Sequence, residues 1–125
     1  MTEPAFDAAS LARLRDEREV RIETRGTNGG VHRTIIWVVV DASDRVLIRS
    51  YRGAGARWYR EATAASAAAL VIGASTIPVR LEPATDPERL AACSAELERK
   101  YAGDPATPAM VRDEVLDTTI ELHPG

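Results

Sequence analysis

An α+β fold, mainly β, is what this sequence predicts: a small antiparallel barrel or curled sheet with helices over its open side or ends. Three observations carry that expectation. About six short stretches have strand character. Most follow one another through tight turns rather than long crossovers, which pairs them antiparallel. Three or four further stretches carry helix starts and apolar stripes. With 125 residues there is material for one core and too little for separate cofactor and substrate domains, so residues 1–125 are expected to form one domain.

Asp7 is placed to cap a short helix carrying Leu11 and Leu14. Residues 19–25 alternate, Val20, Ile22 and Thr24 against Arg21, Glu23 and Arg25, the period of a strand with one wet face. Gly26-Thr27-Asn28-Gly29-Gly30 is a turn, because Asn-Gly favours positive φ. Thr34 to Val40 is β-branched and apolar on both faces and reads as the central buried strand. Asp41 to Asp44 turns the chain into a strand over 45–51, and a helix is expected at about 57–65. Short strands follow at 69–73 and 76–82. In the second, Ile77, Val79 and Leu81 face inward, and Pro78 points to a sheet edge. Asp86-Pro87 starts a helix with Leu90, Cys93, Leu97 and Tyr101 on one stripe, and Gly103 stops it. A short helix over 108–116 leads to a last strand, 118–122.

Composition narrows the function classes. A hydrophobic fraction of 45% and a charged fraction of 28% are ordinary for a globular protein. The one cysteine, Cys93, excludes an intrachain disulfide, and Met1 to Asp16 has no signal-peptide pattern, so a cytoplasmic location is expected. The longest apolar run, 35–40, is far short of the ~20 residues of a membrane-spanning helix. Net charge is -3 but uneven: residues 21–60 carry a net +5, with eight Arg against Glu23, Asp41 and Asp44. An acidic last third and the absence of a binding motif count against nucleic acid as a partner.

Residues 45–60, RVLIRSYRGAGARWYR, hold five arginines and no carboxylate. The strand residues Val46-Leu47-Ile48 run into Arg49-Ser50, a glycine turn and a helix start at Arg57-Trp58-Tyr59. Guanidinium groups, a hydroxyl and loop N–H groups can therefore converge on an anion. Arg33, across a hairpin, is expected to reach the same anion as Arg49. Trp37 reads as core, whereas Trp58, among charges, reads as more open. Gly53-Ala54-Gly55 is neither a Rossmann fingerprint nor a Walker loop. His32, Cys93 and His123 lack metal-ligand spacing, so no metal is expected. No pair of carboxylates or nucleophile with its base is evident, so no catalytic residue is named. That pattern suits an enzyme whose cofactor carries the chemistry.

The segments RIETRG, GGVHRTIIWV and IRSYRGAGARWYR, from residue 21 to residue 60, resemble the flavin- and deazaflavin-dependent split-barrel reductases, closest to an uncharacterised, DUF2255-like branch. The resemblance covers roughly residues 20–83. It implies a six-stranded antiparallel split β-barrel, a homodimer, and FMN or coenzyme F420 in a groove at the subunit interface. Carried onto this chain, Arg33, Arg49, Ser50, Arg52 and Arg57 would hold phosphate or another cofactor anion. Trp58 and Tyr59 would order the loop or flank the ring, and Thr34 and the backbone around Ile36 would face its polar edge. The implied activity is reduction of a small organic substrate. The alternative is a non-catalytic module for another anionic ligand, haem or a phosphorylated metabolite.

Overall fold

Trp37 decides the topology. In the computed structural model, which describes residues 5–125, the expected single strand over 34–40 breaks at this residue into β2 (Val31–Ile36) and β3 (Val38–Val40). The other strands are β1 (Val20–Arg25), β4 (Val46–Ile48), β5 (Ala67–Ile72), β6 (Ser75–Pro83) and β7 (Ile120–Pro124). All pairs are antiparallel, in the order β2-β1-β5-β6-β7-β4-β3. β2 and β3 therefore form the two edges of the sheet, yet one residue joins them. A residue spans at most about 3.6 Å, so the sheet has to curl until its edges meet. The result is a split barrel of seven strands, the seventh created by the break.

The break corrects the reading of 34–40 as a central strand buried on both faces. That burial holds for β3 and β4, whose six residues are all buried. Val38, Val40, Val46 and Ile48 point into the barrel. Val39 and Leu47 point the other way, onto Cys93, Leu97 and Tyr101. β2 is half wet, with Val31 and Ile35 48% and 56% exposed. Pro78 is likewise not at an edge, because β6 lies between β5 and β7. It is tolerated because the ladder with β7 stops beside it: the Pro78 carbonyl accepts from Gly125 N, just past the end of β7, on the side where the missing N–H would point.

Helices cover the barrel as expected, with one difference. α1 (Ala8–Asp16) starts on Asp7, whose carboxylate accepts from Ser10 N, and buries Leu11 and Leu14. α2 (Arg57–Ala65) buries Trp58 and Ala62. α3 (Pro87–Lys100) is capped by Asp86 and lays Cys93 and Leu97 on the second core, with Tyr101 directly after it. The expected helix over 108–116 is two pieces, α4 (Thr107–Met110) and a 3-10 turn at Asp113–Thr118. No helix among the described residues is long and apolar enough to cross a membrane. The reading of residues 1–4 lies outside the described residues.

Candidate functional site

A cavity of about 470 Å³ opens where the β2–β3 break, the end of β4 and the start of α2 meet. Five of the nine residues singled out in the sequence line it: Thr34, Ile36, Arg49, Arg52 and Trp58. Arg33, Ser50, Arg57 and Tyr59 do not.

Arg49 is the most constrained of the five. Only 1% of it is exposed, and no carboxylate touches it among the described residues. Nε donates to Thr119 Oγ1 at 2.7 Å, Nη1 to Ser94 Oγ at 2.9 Å and to the Met110 carbonyl at 3.1 Å, and Nη2 to the Leu90 carbonyl at 3.2 Å. Neutral oxygens from α3, α4 and Thr119, just before β7, thus take four of its five N–H groups, and its charge has no counterion among the described residues. Burial lowers its pKa, but a guanidinium remains protonated under any physiological condition. A full positive charge therefore sits in the cavity wall.

The loop after Arg49 closes on itself. Ser50 is fully buried: its N–H donates to Thr118 Oγ1 and its hydroxyl donates to the Gly53 carbonyl at 2.7 Å. Gly53 N donates to the Ser50 carbonyl, and Ala56 N to the Gly53 carbonyl. The left-handed φ of 74° at Gly53 makes this tight turn possible and explains the glycine there. The Ser50 hydroxyl and these three N–H groups, expected to converge on an anion, are thus already taken by acceptors within the protein. What the loop offers is Arg52, which is exposed and without a partner among the described residues. α2 follows, and no side chain caps its N-terminus.

Arg33 is also elsewhere. On the wet face of β2 it donates to Glu23 at 3.0 Å, so the expected partnership with Arg49 does not form. Arg57 is exposed at the start of α2, within electrostatic reach of Glu61. Tyr59 lines a different, small cleft beside Thr119 and Ile120, and burial raises its pKa. Its ring meets Trp58 edge-on, with centroids 5.9 Å apart.

The two tryptophans exchange the roles expected of them. Trp58 is the buried one at 6% exposure, while Trp37 is half-buried and lines the cavity. Tyr101 holds Trp37 flat, its ring stacked at 3.9 Å and 4° from parallel. Tyr101 is itself anchored, its hydroxyl donating to the Arg18 carbonyl at 2.6 Å. Lys100 Nζ donates to the carbonyls of Val38, at 2.7 Å, and Leu14, at 2.9 Å. Burial pushes Lys100 down to about 8 and Tyr101 up to about 12. Sequence reasoning missed Glu19, Tyr51, Asp104 and Met110 as lining residues. Tyr51 alone carried a signal, an aromatic within the arginine-rich stretch.

The histidines are placed away from the cavity. His32 is half-buried, its Nδ1 lying 3.0 and 3.1 Å from the two oxygens of Glu61. Thr24 donates to the same carboxylate, and together they hold Glu61 below its usual range. His123 lies near Glu82 and Glu121, a trio close enough to share an ion, but Arg89 already donates to both carboxylates.

No curated protein matches this sequence significantly. Solved structures do match in fold. An F420 reductase superposes with a TM-score of 0.61 at 21% identity, covering 91% of each chain. A putative pyridoxamine 5'-phosphate oxidase from Listeria innocua gives 0.64 at 13% identity, covering 93% of this chain and 90% of that one. HutZ, the haem storage protein from Vibrio cholerae, gives 0.62 at 11%, covering 94% and 89%. At such identities the likeness is one of fold, and the fold is the split barrel. Residues 10–122 match the family model described as "Uncharacterized protein conserved in bacteria (DUF2255)", and the chain belongs to that family.

Proposed function

We propose that the chain binds a flavin-type cofactor, FMN or the deazaflavin F420, in the 470 Å³ cavity and uses it to reduce a small organic substrate. The observation that carries this reading is Arg49, a buried guanidinium without a counterion among the described residues, in the wall of a cavity flanked by two tryptophans. Burying a charge without a counterion is costly unless something offsets it, and an anionic ligand would. The cavity falls within the ~300–1,000 Å³ of small-molecule sites. Arg52 and the uncapped start of α2 add further attraction for an anion at the rim. Trp37, fixed by Tyr101, gives a planar ring a rigid wall. When bound, such a cofactor supplies hydride-transfer chemistry; the chain's part is to hold, orient and shield it. Among the fold neighbours, the F420 reductase supports the cofactor by its name, and the putative pyridoxamine 5'-phosphate oxidase supports redox chemistry by its own.

Haem is the second reading, supported by HutZ. Met110 and Tyr51 line the cavity as candidate iron ligands, but neither histidine does. Titration of the purified protein with FMN, F420 and haem in turn, followed by absorbance and by quenching of the two tryptophans, separates the readings. Saturable binding of either flavin-type compound is expected, and saturation by haem alone overturns the flavin reading.

We further propose a homodimer that closes the cavity. Ile35 and Tyr51, both more than half exposed, sit on its rim, and β2 is an open edge. Ile35→Glu is expected to give monomers in analytical ultracentrifugation and weaker cofactor binding. A wild-type monomer at all concentrations rules the dimer out.

A further inference from the structure

The charges around the cavity are of both signs, and those with partners can be separated from those without. Asp104 accepts from Arg18 at 2.7 Å and from Ala106 N at 2.9 Å, so its carboxylate is already satisfied. Arg49 is held by four neutral oxygens. Two lining charges remain without an ion pair or hydrogen bond among the described residues: Arg52, positive, and Glu19, negative. Arg52 belongs with the anionic end of the ligand discussed above. Glu19 would repel an anion, so it needs its own explanation.

Its place in the register supplies one. Val20 pairs with Ile36, so Glu19, one step earlier, lies level with Trp37 at the break between the sheet edges. After burial, the Glu19 charge is a lesser contributor to the raised pKa of the Tyr101 hydroxyl, whose ring Trp37 stacks on. A carboxylate without a cation beside an indole held flat is a site for a positively charged group. The carboxylate supplies an ion pair and the ring face a cation–π contact. The native cations nearby are committed: Arg18 to Asp104, and Lys100 to two backbone carbonyls. Arg21, two residues along, forms no ion pair with Glu19.

We propose that the substrate taken into this cavity carries a protonated nitrogen, an amine or amidine, which Glu19 holds against Trp37. The inference rests on the reading of the cavity as a ligand site and narrows its substrate class from small organic molecules to cationic ones. Arg49 and Arg52 serve the anion, Glu19 the cation, and the cavity is polarised from one rim to the other.

The test uses benzylamine and its neutral analogue benzyl alcohol on the full chain without cofactor, read by tryptophan fluorescence. Wild type is expected to bind the amine about tenfold more tightly than the alcohol. Glu19→Gln should abolish that preference, and Glu19→Asp should retain part of it. Glu19 is exposed, so the variants should keep the wild-type circular dichroism. Equal affinities in wild type, a preference that survives Glu19→Gln, or no binding of either compound overturns the proposal. Because the measurement needs no cofactor, a preference seen in a protein that takes up no flavin would separate the two readings, leaving the cation site standing and the flavin assignment fallen.

Discussion

Arg49 and Arg89 show how differently one residue type can be used within a single small fold. Arg89 sits on the face of β6–β7 opposite the barrel core, where Glu82 and Glu121 are direct register partners whose charges would repel. It donates to both and to Asp86, and these carboxylates raise its pKa. Arg49 is more deeply buried, meets neutral oxygens alone, and has its pKa lowered by burial. Arg89 is a charge neutralised by the protein, and Arg49 is a charge left for something else. A buried cation without a counterion next to an open cavity is thus more informative than a cluster of arginines on a surface.

The largest expected effect tests this contrast directly. Arg49→Ala removes four hydrogen bonds to two hydroxyls and two carbonyls in a closed space and leaves a void, a loss of about 2–4 kcal/mol in stability by urea denaturation. Arg89→Ala breaks a partly solvated ion-pair network and should cost about 1 kcal/mol. If Arg89→Ala proves the more costly of the two, Arg49 is not the anchor described here. A smaller effect belongs to Arg52, which supports no other residue. Arg52→Ala should leave stability within about 0.5 kcal/mol of wild type. It should also weaken FMN or F420 binding about tenfold, whereas Arg57→Ala, outside the cavity, should change affinity by about twofold or less. Equal losses in the two variants would move the anion site to the start of α2.

How much of this was legible in the sequence depends on how far away the deciding atoms lie. The alternation of β1, the Asp7 and Asp86 caps and the stripe of α3 are local signals, and all were readable. The break at Trp37 was not, because the six consecutive apolar residues from Ile35 to Val40 carry no period to interrupt. What marks the break is the Val38 carbonyl, taken by Lys100 from 62 residues away. Arg49 misleads in the same way. Its neighbours in sequence hold no carboxylate, which suggested a charge available to an anion at the end of a strand, yet its acceptors lie 41 to 70 residues distant and draw it inside. The cluster pointed to the right stretch of chain while hiding which of its arginines the fold would consume.

The two regions should also differ in the pH range over which they act. Behind the Trp37 wall the relevant groups are basic. Lys100 falls from an ordinary 10.5 to about 8, so as pH rises through 8 the folded amine loses its proton first. The unfolded chain then binds more protons, and stability rises with pH, by at most about 1.4 kcal/mol per unit. Cys93, raised from 9.0 to about 11 by burial, and Tyr101, raised from 10.0 to about 12, have the opposite sign. Stability should therefore climb between pH 8 and 9 and then turn over, and Lys100→Met should flatten the climb. A climb unchanged in that variant would place its source elsewhere.

The Arg89 network should answer at the other end of the scale, with the smallest effect of those considered. His123 and Arg89 hold Glu82 below its ordinary 4.5, and Arg89 holds Asp86 below its ordinary 3.8. A carboxylate with a depressed folded pKa contributes stability above its unfolded value and loses it as pH falls through the folded one. Arg89→Ala should therefore be destabilising at neutral pH and converge on wild type in acid, as both proteins protonate the same carboxylates. Arg49→Ala, with no carboxylate partner to protonate, should keep its full penalty across that range. Parallel urea titrations from neutral pH into acid would show one difference shrinking and the other constant. Two constant differences would mean that Arg89 acts through packing of its stem rather than through its charge.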